Sequence, residues 1–126
     1  MIEVLVSIVI LSIALLGTAG LMSGSLRGTN TAYYRTQATV LADDILDRMR
    51  ANLTAARDDG EYNIDPGPAF AAPSGSMAEF DAQEWTSQIA STFPTGVGIV
   101  NVNAGVAVIT IRWDDGANEF VTQSLL

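Results

Sequence analysis

Apolar and polar positions divide this chain into regions of different period. Residues 4–22, VLVSIVILSIALLGTAGLM, carry no charge and include eleven Val, Leu or Ile. As a helix rising 1.5 Å per residue, that run reaches about 28 Å, close to the hydrocarbon thickness of a bilayer. Its apolar residues favour insertion by roughly 3–7 kcal/mol. The run predicts a membrane-spanning helix. A secretory signal peptide fits less well, because no basic segment precedes the run and it exceeds a usual signal core. Glu3 stands at its head. Gly17, Gly20, Gly24 and Gly28 follow at spacings that put them on one helix face. Such a face permits close helix approach, yet each glycine costs about 1 kcal/mol of helix propensity.

From residue 31 to 53 the helical period resumes. Tyr34, Ala38, Leu41, Ile45, Met49 and Leu53 recur at steps of three and four, with Asp43, Asp47 and Arg50 on the other side. Asp44 and Arg48 form an i,i+4 pair. No proline separates this stretch from the apolar run, so one helix of about 50 residues is expected, amphipathic in its second half. Residues 58–76, DDGEYNIDPGPAFAAPSGS, contain Pro66, Pro68 and Pro73 and predict a loop. Residues 81–93, DAQEWTSQIASTF, predict a short second helix, with Asp81 and Glu84 suited to a capping box. Its apolar stripe is Ala82, Trp85, Ile89 and Phe93, and Pro94 with Gly96 stops it.

The period then becomes two. Val97–Asn103 alternates valine with asparagine, and Asn103-Ala104-Gly105 signals a tight turn. Val106–Trp113 puts Ile109, Ile111 and Trp113 on one face, Thr110 and Arg112 on the other. Asp114-Asp115-Gly116 is a second turn and Asn118–Leu126 a third strand. Three antiparallel strands with one half-buried face need a cover. The stripe at 34–53 can supply it. The expected fold is α+β: a long N-terminal helix on a small antiparallel meander, with one short extra helix. Residues 1–28 form its transmembrane half and residues 29–126 its globular domain. The expected core anchors are Leu41, Ile45, Met49, Trp85, Ile109, Ile111 and Trp113.

Charge and composition narrow the chemistry. The 126 residues carry six basic and 14 acidic side chains, for a net charge of -8. That sign disfavours nucleic acid and attraction to anionic lipid. There is no cysteine and no histidine, which removes disulfides, thiolate chemistry, His/Cys zinc sites and histidine-based triads. An enzyme would have to use carboxylates. Asp114-Asp115 is the only acid pair flanking a strand, and it reads as turn chemistry. Asp58, Asp59, Glu61, Asn63 and Asp65 lack the order and closing bidentate acid of a calcium loop. Asp43, Asp44 and Asp47 read as a solvated helix face rather than metal ligands. Asn52-Leu53-Thr54 matches a glycosylation sequon but falls within a predicted helix. No catalytic residue, cofactor, metal or small-molecule substrate is expected.

The stretch IEVLVSIVILSIALLG, with its early glutamate, resembles the N-terminus of type IV pilins and pseudopilins. Within them the chain is most similar to minor pilins of the PilV type. LADDILDRMRAN at 41–52, Glu61-Tyr62, EWTSQI at 84–89 and TIRWDD at 110–115 carry that narrower likeness. The resemblance covers essentially the whole chain. It implies cleavage of a basic leader by a prepilin peptidase, N-methylation, and an inner-membrane subunit with its globular domain in the periplasm. Packing by the N-terminal helix into a type IV pilus would follow, beside the major pilin. Other minor pilins would be its partners in priming or capping the filament. The family's early glutamate, held to neutralise the neighbouring subunit's N-terminal amine, corresponds to Glu3. In the family about four residues precede it and here two do, so Met1 is not taken as the methylated terminus. A carboxylate in an apolar core is costly unless paired. At 4 Å and an effective dielectric of 20, a partner amine returns about 4 kcal/mol. Glu3 therefore reads as a register device. The alternatives are a type II secretion pseudopilin and, further off, a membrane-anchored sensor or adhesin.

Overall fold

The computed structural model describes residues 1–67 and 72–126. Pro68, within the expected loop, lies outside the described residues. Helix α1 spans Ile2–Ala51, α2 Leu53–Arg57 and α3 Met77–Thr92; strands β1 Val97–Asn103, β2 Val106–Trp113 and β3 Asn118–Leu125 follow. The chain divides into two compact units, Met1–Tyr34 and Arg35–Leu126. Only helix occurs in the first unit; the second holds the rest of α1, both short helices and the sheet.

The sheet is an antiparallel meander in the order β1-β2-β3. Its strands match the period-two segments of the sequence because both turns are locally encoded. Ala104 and Gly105 take φ of 51° and 78° between the paired residues Asn103 and Val106. Two successive positive φ values are what a two-residue hairpin of the right twist requires. At the second turn Asp114, Asp115 and Gly116 also have positive φ. That turn is tied down: Asp114 N–H donates to the Pro94 carbonyl at 3.0 Å and Asp115 N–H to Thr95 Oγ1 at 2.7 Å.

On β2, Ala107, Ile109, Ile111 and Trp113 are buried while Arg112 is exposed. Both helices cover this buried face. Trp85 and Ile89 of α3 press on Gly98 of β1 so closely that a Cβ there would overlap the indole. The Phe93 and Trp113 rings stack with centroids 5.3 Å apart. On the α1 side, Arg50 Nη2 donates to Ser124 Oγ at 3.1 Å. Trp85 Nε1 joins the two helices by donating to the Leu41 carbonyl at 2.7 Å. Each buried polar tip thus has a partner, as a water-free core requires.

Four sequence expectations need correction. The buried stripe of α1 is wider than one row, adding Ala42 and Leu46, and it does not reach Leu53. Leu53 lies past the end of α1, in α2, and is 40% exposed. Asn52 sits between α1 and α2, so the sequon is at a helix junction rather than inside a helix. α3 begins at Met77, and its cap is Ser76, whose side chain accepts from Glu79 N–H while Glu79 takes the Gly75 N–H. Asp81 is therefore one turn inside the helix and buried, and does not cap it. Finally, the loop after α2 is not merely a connector. Tyr62 and Ile64 are fully buried, and Ile64 pairs with Val100 through both backbone groups, at 2.8 and 3.0 Å. Asn63 Oδ1 accepts the Val102 N–H at 2.7 Å. Loop residues thus close the outer edge of β1.

Candidate functional site

The first unit is a helix whose apolar surface has no cover. Every residue from Met1 to Tyr33 is exposed, including Leu5, Ile8, Ile10, Leu15, Leu16 and Leu21. α1 is long and apolar enough to cross a membrane, by length and composition. The hydroxyls within the uncharged run 4–22 are already satisfied. Ser7 donates to the Glu3 carbonyl at 2.8 Å, Ser12 to the Ile8 carbonyl at 2.7 Å, and Thr18 to the Leu15 carbonyl at 2.9 Å. Back-bonding of this kind lets a hydroxyl sit in an apolar medium without an orphaned proton. Glu3 is different. No group among the described residues pairs with its carboxylate, which lies in the first turn of α1, where the helix dipole favours an anion. Gly17, Gly20, Gly24 and Gly28 are helical, and a Cβ at any of them would meet nothing within 4 Å. Chemically, the unit offers a greasy rod with one unpaired anion at its head.

The second unit contains a polar cluster beneath its surface. Arg48 bonds Asp44 at 3.0 Å, Asp81 at 3.1 Å and Glu84 at 2.7 Å. Tyr62 Oη donates to the other Asp81 oxygen at 2.6 Å. The hydrogen bond that Arg48 donates to Glu84, with help from Asp81 and Asp44, holds its guanidinium well above the ordinary pKa. Burial, reinforced by the Asp81 carboxylate, pushes the Tyr62 phenol up to about 12. Both Asp81 oxygens are engaged. It bolts α3 and the loop to α1. Among the described residues no group of three acidic side chains is placed to hold a metal, and no buried side-chain polar atom lacks a partner.

The sequence-marked residues fall into two sets. Leu41, Ile45, Met49, Trp85, Ile109, Ile111 and Trp113 lie together in the core of the second unit. Glu3 and the four glycines lie in the first unit, on a surface that touches nothing else there. Sequence reasoning had only the Asp44–Arg48 half of the polar cluster. Glu84 lies three residues after Asp81, which puts the two carboxylates on one helix face, but nothing local signals that Arg48 would meet them. The chain matches no protein-family model, no curated protein and no solved structure.

Proposed function

We propose that this chain is a minor pilin, a membrane-held structural subunit that enters a type IV pilus through α1 and helps prime or cap it with other minor pilins. The observation that supports the reading is the Glu3 carboxylate, unpaired among the described residues, at the head of the exposed, uncharged run 4–22, whose hydroxyls Ser7, Ser12 and Thr18 are all self-bonded. A membrane anchor alone does not need that acid, and on an insertion scale the acid opposes anchoring. A helical assembly does need it, if the N-terminal amine of a neighbour must be matched in register. In this reading residues 1–28 serve the inner membrane and then the filament core, and the globular part faces the periplasm. Its partners are the major pilin and other minor pilins, after processing by a prepilin peptidase.

Glu3→Ala is expected to block incorporation into filaments while leaving membrane insertion intact. The measurement is the amount of variant and unaltered chain in sheared pili and in washed membranes. Equal amounts in pili would overturn the register role. Co-purification of the full chain with pseudopilins of a secretion system, and not with pilus minor pilins, would move it to that machine.

A further inference from the structure

The sheet has two edges, and the chain treats them differently. The edge at β1 is closed by the Ile64 backbone and the Asn63 side chain. Among the described residues no strand lies beyond β3. Which groups β3 leaves free follows from its register. Leu126 N–H donates to the Gly105 carbonyl at 2.9 Å, one step beyond the Val106–Leu125 pair. Hydrogen-bonded pairs alternate along an antiparallel ladder. Even-numbered β3 residues therefore bond to β2. Glu119, Val121, Gln123 and Leu125 turn their N–H and C=O outward. This edge contains no lysine or proline, and Glu119 at one end is its single charge. Val121 and Leu125 are 53% and 75% exposed on it.

We propose that β3 pairs antiparallel with β3 of a second copy of this chain, across a two-fold axis at Thr122. Centring on Thr122 is the register that uses all four outward residues: Val121 opposite Gln123, and Glu119 opposite Leu125, each pair occurring twice. Two three-stranded sheets become one of six strands. Charge sets the direction. One end of the edge carries Asp114, Asp115 and Glu119, with Arg112 3.5 Å from Glu119. The other end carries two guanidiniums. Arg50, paired with Asp47, sits on Ser124, and Arg57, paired with Asp58, lies over Gly105. Antiparallel pairing sets the acidic end of one copy against the end of the other where Arg50 and Arg57 offset Asp47 and Asp58, and keeps the two acidic ends apart. Parallel pairing would set Glu119 against Glu119 and acidic turn against acidic turn, which is destabilising. A closed two-fold contact of this kind is self-limiting. It concerns the second unit only and does not rest on the pilus reading.

The natural chain has no cysteine, so Thr122→Cys introduces a single thiol. In the proposed pair Thr122 faces its own copy at a non-hydrogen-bonded position, where Cα atoms stand about 4.5 Å apart, within disulfide reach. The full chain in detergent micelles, mildly oxidised, is expected to give a covalent dimer through Thr122→Cys. Adding Val121→Pro should abolish it. The Val121 N–H points outward, so proline there removes no bond to β2, and edge strands accept it. Asn101→Cys, on β1, supplies the collisional background. Association through the apolar part of α1 would neither favour position 122 nor respond to Val121→Pro. Three results overturn the proposal: no dimer from a folded Thr122→Cys chain, a yield no higher than Asn101→Cys, or a dimer that persists with Val121→Pro. An edge that instead takes an extended segment of another protein would give the first of these. Should Thr122→Cys fail to fold, the mass of the cysteine-free chain is compared with that of Val121→Lys. A lower mass for the lysine variant supports the pair, and equal masses refute it.

Discussion

Tyr62 shows how one side chain ties loop, helix and pH together. It is fully buried, and its hydroxyl donates to Asp81, which Arg48 also holds. Both burial and the neighbouring carboxylate disfavour the phenolate, so its pKa rises from 10.0 to about 12 in the folded chain. The sign of the pH effect follows. Below pH 10 neither state has lost the proton, and the full stability is present. Between pH 10 and 12 the unfolded chain releases it and the folded chain does not, so stability falls by up to about 3 kcal/mol. Urea midpoints of the full chain in detergent should drop across that window. Tyr62→Phe should start lower, because Asp81 loses a donor, and should lack this part of the drop. Equal slopes in both chains would mean that Tyr62 does not titrate between the two states. Nothing in the sequence marked Tyr62 for the core, since the prolines and glycines around it predicted only a loop. The missing information is tertiary: Ile64 is drawn in by the open edge of β1, and Tyr62 comes with it.

At the scale of elements, local chemistry determined more. All three strands were legible because alternation and turn residues are short-range signals, and because the inner face of β2 must be apolar to meet two helices. Trp113→Ala should cost roughly 3–5 kcal/mol, since it removes a 2% exposed ring stacked on Phe93. Arg112→Ala, on the outer face with a half-exposed partner in Glu119, should cost under about 1 kcal/mol. Equal losses in denaturant melts would reverse the faces. Gly98 was read only as a strand residue, yet its missing Cβ is what lets Trp85 and Ile89 approach β1. That role could not be read before α3 was placed over the strand. The glycines of α1 pose the opposite problem, because among the described residues a Cβ at any of them would meet nothing within 4 Å. Gly17, Gly20, Gly24 and Gly28 are helical here, and in lipid they should stay so, because a freed amide finds no partner. If the chain enters a filament, as proposed, neighbouring helices and water would satisfy those amides, and a propensity cost of about 4 kcal/mol would favour opening. Residues 17–28 should then exchange amide protons fast in filaments and slowly in bilayers. Slow exchange in both would leave close packing as their role.

At the scale of the whole molecule, the two units differ in where their stability comes from. Every buried residue among those described lies between Ala38 and Trp113, and the segment Met1–Tyr33 buries none. The sequence allowed this to be seen in outline, because charge is absent from 4–22 and dense from 43 to 65. The compact units divide after Tyr34, and the first α1 side chain with a core to enter is Ala38. An isolated helix in water gains little from propensity, and four glycines subtract from that. The first unit should therefore add nothing to the cooperative unfolding of the second. A chain starting at Thr29 retains the polar cluster, the sheet and the whole described core. It is expected to be soluble without detergent, having shed the exposed Leu, Ile and Val of residues 2–26. Its urea unfolding, followed by tryptophan fluorescence from Trp85 and Trp113, should match the full chain in midpoint and slope to within about 0.5 kcal/mol. A markedly lower midpoint for the shortened chain would show that residues 1–28 stabilise the globular unit, and the division into two energetically separate parts would have to be abandoned.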